Sequence, residues 1–243
     1  MAMNAEVLYQ AGKLEEAVRA LSAELRDNPT NARRRTFLFE LLCFAGQYDR
    51  AEKQLDALAQ GSNDTELGAL VYRSALHAER TRQDTFRKKE YPEPRTDSSG
   101  AGSPPGMLNG KPFQSLSDAD PRIGARLEVF AGGNYLWLPF EHLASIEMQS
   151  PRRLRDLLWI PALVRTGPGF RSTDLGEVLL PVLSPFAWQH ADDSVRLGRE
   201  TRWEEDENGD SLPVGQKMLL VDDGEFPFLE LRKLEFAAQQ AAT

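Results

Sequence analysis

The chain has 243 residues, 41% of them hydrophobic and 27% charged, and a formal net charge of −8 at pH 7. This is an ordinary soluble composition, long enough for one large domain or two smaller ones. Its acidic balance argues against nucleic acid as the main partner, and no segment approaches the roughly 18 apolar residues that cross a bilayer.

The N-terminus, Met1-Ala-Met-Asn-Ala-Glu6, has no basic region followed by an apolar core. No signal peptide is expected, and the expected location is the cytoplasm. A repeat follows. Ala11-Gly12-Lys-Leu14-Glu-Glu-Ala17 returns as Ala45-Gly46-Gln-Tyr48-Asp-Arg-Ala51, with 34 residues between the two glycines and 34 between the two alanines. A fixed period of this length predicts stacked helical hairpins, which present surfaces to other proteins. In the first unit Leu14, Ala17, Val18, Leu21 and Leu25 recur at helical spacing and Pro29 stops the helix. In the second, Phe37, Leu38, Leu41, Leu42 and Phe44 precede Gly46, and Tyr48, Ala51, Leu55 and Leu58 follow it. These positions resemble the tetratricopeptide repeat. A third unit starts in phase near Glu66, but Arg80 and Thr85 stand where the turn glycine and the small alanine should be. Two repeats and one long capping helix, about 65–89, are therefore predicted.

First helices of such repeats line a concave groove that takes a peptide or a helix. Here the groove positions are Arg33, Thr36, Glu40, Cys43, Phe44, Leu67, Leu70, Ser74 and His77. Cys43 lies in an apolar run and reads as a small buried hydrophobe. Arg33-Arg34-Arg35 reads either as part of the binding face or as a solvated helix start.

Residues 91–116 are rich in Pro, Ser and Gly and read as a linker between a helical domain at 1–90 and a second domain at 117–243, with poor order expected around 95–106. In the second domain, Ser117–Pro121 reads as a cap and Ile123–Phe130 as a short amphipathic helix. Strand-like runs follow at 135–138, 145–148, 157–164, 177–180, 201–203, 217–221 and 228–231, with Asn208-Gly209 and Asp223-Gly224 as turns. The fold class predicted is α+β: tetratricopeptide-like hairpins, then a mostly antiparallel β-rich domain. The segment 192–230 holds 12 acidic against 4 basic residues, whereas 1–90 is balanced at 14 each. That acidic face is either solvated or a contact for a basic partner.

Chemistry has few candidates. Asp222-Asp223-Gly224-Glu225 lacks the spaced carboxylates of a calcium loop and is explained by a hairpin turn. Asp118 and Asp120 read as capping residues rather than metal ligands. His77, His142 and His190 have no metal-ligand spacing. Ser184 and His190 lack a nucleophile-elbow pattern, and Gly167-Pro168-Gly169 lacks the lysine and helix of a phosphate loop. The four tryptophans, Trp137, Trp159, Trp188 and Trp203, read as core or domain-contact residues. No catalytic residue, cofactor or metal is expected.

The order of segments carries a more specific signal. Arg35–Gly46, Asp49–Asp56, Tyr72-Arg73, Ala78–Arg80, Asp118–Arg122, Tyr135–Phe140, Leu154–Trp159 and Asp222–Pro227 together resemble the ImpE/TagJ family of type VI secretion accessory proteins. The resemblance covers about 1–88 and 109–236. It implies a non-enzymatic cytoplasmic protein that binds the N-terminal helical segment of the sheath subunit TssB and thereby influences sheath recycling by the ATPase ClpV. Neither nucleic acid nor membrane is an expected partner. Two other classes stay open on the residues: a general repeat scaffold without affinity for TssB, and a carboxylate-dependent metal hydrolase built on Asp222 and Asp223.

Overall fold

The computed structural model describes residues 4–61, 63–92, 103–167 and 175–237, with backbone alone at 63–65. Among the described residues, the N-terminal part holds five helices: α1 (Ala5–Gln10), α2 (Leu14–Asp27), α3 (Ala32–Phe44), α4 (Tyr48–Ala59) and α5 (Asn63–Lys88). Asn4 and Asn31 cap α1 and α3, each accepting a backbone N–H at 3.0 Å. Ala17 and Ala51 are fully buried, which lets the helices approach closely. Gly12 and Gly46 turn the two hairpins with φ of +74° and +66°, a left-handed conformation that glycine adopts without strain. At the third turn position Arg80 instead pairs with Asp49 and Glu52, and α5 runs through unbroken.

Thirteen strands follow among the described residues. β1 (Gly106–Leu108), β2 (Lys111–Phe113), β4 (Arg126–Ala131), β5 (Asn134–Pro139), β6 (Leu143–Met148), β7 (Trp159–Thr166), β8 (Gly176–Pro181) and β13 (Lys233–Phe236) form one eight-stranded antiparallel sheet in the order β2-β1-β13-β6-β7-β8-β4-β5. β3 (Leu116–Asp118) pairs with β11 (Met218–Val221), which pairs with β12 (Gly224–Pro227). β9 (Thr201–Glu205) and β10 (Ser211–Gly215) form a separate hairpin across Asn208-Gly209. A short helix, α6 (Asp193–Arg196), precedes that hairpin.

Several sequence expectations are corrected here. Ile123–Phe130 is not a helix: its second half is β4. Leu127 and Val129 enter the core of the sheet, while Phe130 packs among the helices. A strand covered on both faces loses the alternation that identifies strands. The run expected as a strand at 228–231 is instead a 3₁₀ turn, Phe228–Glu230, and the strand lies just beyond it, at Lys233–Phe236. The sheet begins inside the expected linker, because Leu108 and Phe113 are buried and Phe113 stacks edge-on against Phe236 at 6.1 Å. Poor order around 95–106 is answered only in part: 93–102 lie outside the described residues, while Ser103 is buried and Gly106 pairs in β1.

The sheet's helix-facing side holds the two parts together. From β7, Trp159 inserts between α3 and α5, with ring centroids 6.5 Å from Phe39 and 6.4 Å from Tyr72, and its indole N–H donates to Glu79 at 3.1 Å. Beside it lies a fully buried charge cluster. Arg82 of α5 grips Glu128 of β4 with two hydrogen bonds, at 2.7 and 2.9 Å. Lys217 bonds both Glu128 and, at 2.6 Å, Asp118. Tyr135 donates to Glu128 at 2.5 Å. Burial alone would raise the Glu128 pKa, but the Arg82 and Lys217 charges more than offset it and hold Glu128 well below the usual range. Asp118 is pushed up to about 6 by burial, with Lys217 opposing. Asp118 and Asp120 thus have roles beyond local capping: Asp118 joins the cluster and Asp120 pairs with Arg122 at 2.6 Å.

Candidate partner-binding site

The sheet-rich part also holds both repeat turns. Arg199 donates to the carbonyls of Tyr9 and Gln10 at the end of α1, at 2.6 and 3.0 Å. α2 has no side-chain cap of its own; Asp193 of α6 supplies one, accepting from the Leu14 N–H at 2.8 Å. Gly46 lies under Trp188, and a Cβ there would stand 2.3 Å from the indole. Part of the acidic stretch is therefore spent internally: Asp193 caps α2 and Asp192 pairs with Arg202 at 2.5 Å.

These contacts divide the helical groove. Phe44 and Cys43 are 1% and 2% exposed, packed beneath the sheet with Trp159 and Trp188 nearby. Burial raises the Cys43 thiol well above its usual pKa, so it is a packed side chain. Ser74 is half-buried beside the β4–β5 turn, where a Cβ on Gly133 would lie 3.6 Å from it. His77 is exposed. The inner half of the groove is thus occupied by the chain's own sheet.

The outer half is open. Arg33, Thr36 and Glu40 line a cleft of about 930 Å³, whose opposite wall is the Pro151–Leu157 segment. Tyr9, Phe37, Leu154 and Leu157 give it an apolar floor. Asp156 fixes that wall by accepting the backbone N–H groups of Arg152 and Arg153 at 2.8 and 2.9 Å. One repeat further on, at positions 34 residues after Arg33 and Thr36, Leu67 and Leu70 are 65% and 59% exposed, with Val71 beside them at 51%. The structure therefore separates the expected groove residues: Cys43 and Phe44 are covered and Ser74 is half-buried by the β4–β5 turn, while Arg33, Thr36, Leu67 and Leu70 are accessible at the outer ends of α3 and α5, with Glu40 buried at the base of the cleft and His77 exposed. The wall residues Arg152, Arg153, Leu154 and Leu157 lie too far along the chain for the repeat to have indicated them.

Of the arginine triplet, Arg34 pairs with Glu24, and Arg35 donates to Gln54 and to the Pro29 carbonyl. Arg155 spans the site, 4.7 Å over the Tyr72 ring and 3.8 Å from Glu40. Burial pushes Glu40 up to about 7, with Arg155 opposing and Asp156 reinforcing the shift. The folded state then binds a proton that the unfolded state releases near pH 4.5. Stability contributed by this group is full below that pH and falls as pH rises towards 7. Glu40→Gln is expected to raise stability at pH 8 by about 2 kcal/mol. It should also flatten the loss between pH 5 and 7.5, as read by urea unfolding across that range. A pH dependence identical to that of the unsubstituted protein would contradict the assignment.

The remaining chemical candidates are accounted for by structure. The Ser184 hydroxyl accepts from the Gly215 N–H at 2.9 Å, while His190 accepts from the Asp192 N–H and faces Glu204 at 3.1 Å. Asp222, at φ +51°, accepts the N–H groups of Gln114 and Ser115 and ties a loop to β11. Among the described residues no group of three or more His, Cys, Asp or Glu is placed to hold a metal ion. No helix among them is long and apolar enough to cross a membrane. Of the Gly167-Pro168-Gly169 run, Pro168 and Gly169 lie outside the described residues, as does the chain onward to 174.

Known proteins resemble the chain along both of its parts. The model of the ImpE protein family matches residues 110–235, and a tetratricopeptide repeat model matches 8–72. A relative from Pseudomonas aeruginosa, the type VI secretion system accessory component TagJ, is 34% identical over 271 aligned positions, covering 99% of this chain and 94% of the relative. A crystal structure of a protein from Vibrio parahaemolyticus shares the fold, with a TM-score of 0.83, 22% identity and 98% of each chain covered.

Proposed function

The chain belongs to the ImpE family, and on that basis we propose that it serves type VI secretion as a non-enzymatic adaptor of the cytoplasmic sheath machinery. Its partner in this reading is the N-terminal helical segment of the small sheath subunit TssB, and binding influences recycling of the sheath by ClpV. The observation that carries the reading is kinship along both the helical and the sheet-rich parts to a named accessory component of that system. The helical part supports it with an open outer groove suited to an amphipathic helix.

The exposed stripe of Leu67, Leu70 and Val71 supplies apolar anchors on α5. Its exposure also means that polar replacements leave the core intact. Leu67→Glu with Leu70→Glu is expected to weaken binding of purified TssB about tenfold or more, the cost of losing buried apolar anchors, with the melting temperature unchanged. Unaltered TssB affinity in this variant would remove α5 from the site. A competing reading places a basic partner segment on the β9–β10 hairpin, where Glu204, Glu205, Glu207 and Asp210 are exposed. Charge reversal of those four residues leaves TssB binding intact if the groove is the site.

A further inference from the structure

We infer that the cleft between α1, α3 and the Pro151–Leu157 segment holds an acidic amphipathic helix of a partner protein, its carboxylates on Arg33, Arg152 and Arg153. The adaptor reading supplies the partner's biological role here; the chemistry of the site stands on the cleft itself. Arg33, Arg152 and Arg153 are exposed, and among the described residues none of them forms a salt bridge, although the Arg153 charge is felt by Glu40. Their neighbours differ: Arg34, Arg35 and Arg155 are each engaged, with Glu24, Gln54 and Glu40 respectively. In a chain of net charge −8, acidic groups outnumber basic ones, yet three cations without a salt bridge gather around one cleft among the described residues.

The carboxylates lining the cleft cancel little of that charge. They are Glu6 and Glu40, and burial pushes Glu40 up to about 7, so that it is only partly ionised near neutrality. The floor is apolar, from Phe37, Leu154 and Leu157. A ligand complementary to both therefore has one apolar face and one acidic face. The lining residues come from helices, a 3₁₀ turn and the irregular residues 151–153 before that turn, none of them in a strand, so no strand edge is offered for pairing, and a helix laid in the groove is the binding mode that remains. Nucleic acid would meet three arginines backed by a net negative chain, and a free anion would leave the apolar floor uncovered.

The test uses the full chain and two fluorescently labelled helical peptides with identical apolar faces, one with glutamates and one with lysines on the polar face. The glutamate peptide is expected to bind, and the lysine peptide to bind at least about tenfold more weakly. Arg33→Glu/Arg152→Glu/Arg153→Glu should weaken the glutamate peptide about tenfold or more, and raising salt from about 50 to about 300 mM should weaken it in the parent protein. Because these side chains are exposed and form no salt bridge among the described residues, the variant should melt with the parent. Equal binding of both peptides, an unchanged triple variant, no binding of the glutamate peptide, or its displacement by millimolar inorganic phosphate would each overturn the inference. TssB is run in parallel. Failure of the parent protein to bind TssB sinks the adaptor reading while the peptide titration still reports on the cleft. Retention of TssB by a triple variant that has lost the glutamate peptide separates the sheath partner from this cleft and leaves the adaptor reading standing.

Discussion

Glu128→Gln is expected to destabilise the protein by about 3–5 kcal/mol, the usual cost of removing one member of a buried ion cluster. The substitution keeps the shape of the side chain and removes its charge. Arg82 and Lys217 are then left desolvated, facing only Glu79 and Asp118, with the two hydrogen bonds from Arg82 weakened. Neither cation can reach water, since their side chains are 1% and 4% exposed. For a chain of this length the loss corresponds to a fall in melting temperature of roughly 6–20 °C. Because Arg82 sits on α5 and Glu128 on β4, helical and sheet signals should fall together in one transition. A loss below about 1 kcal/mol by urea unfolding would mean that the cluster does not hold the two parts together.

Trp159→Ala is expected to cost about 3–5 kcal/mol as well, by a different mechanism. Truncation leaves a void between Phe39 and Tyr72 and strips a hydrogen bond from Glu79. The void lies in the inner groove, so the variant should also bind a small aromatic or a hydrophobic dye that the parent protein excludes. Trp203→Ala makes the control: it is 40% exposed on the β9 hairpin and should change stability by no more than about 0.5 kcal/mol. Equal effects of the two tryptophan substitutions would contradict the packing described.

The helical half was legible because its signals are local. Gly12 and Gly46 sit at turns that need positive φ, and Ala17 and Ala51 sit where helices touch. The failure of the third unit was equally readable in Arg80 and Thr85, and α5 runs on through both positions. What the repeat could not reveal was its filler. Phe44 occupies a groove position by register, yet Trp159 and Trp188, more than a hundred residues later, cover it. One signal was available: Leu38 to Phe44 is a run with few polar positions, and a helix apolar on all sides is buried on all sides. Glu40 within that run is also buried, which its pKa of about 7 reflects.

The sheet half was less legible for a related reason. Strands β4 and β7 send alternate residues into two cores, Ile160 to one and Trp159 to the other, so alternation vanishes. β10 carries Pro213, which demotes a run to a non-strand by local rules, but among the described residues it pairs with β9 alone and forms one side of a two-stranded hairpin. The candidate site was half legible: Arg33, Thr36, Glu40, Leu67 and Leu70 follow from the repeat. Its other wall, Arg152 to Leu157, is brought opposite α3 only by the tertiary fold.

A partner helix seated in the outer groove of the repeats comes within reach of both Thr36 and Leu70. Photocrosslinking reads that contact, with a photoreactive amino acid placed at Thr36 in the cleft, at Leu70 on α5, or at Trp203 on the acidic hairpin. With purified TssB, crosslinks are expected from positions 36 and 70, mapping to the N-terminal helical segment of TssB, and none from position 203. Crosslinks confined to position 203 would contradict this seating and place the partner on the acidic hairpin.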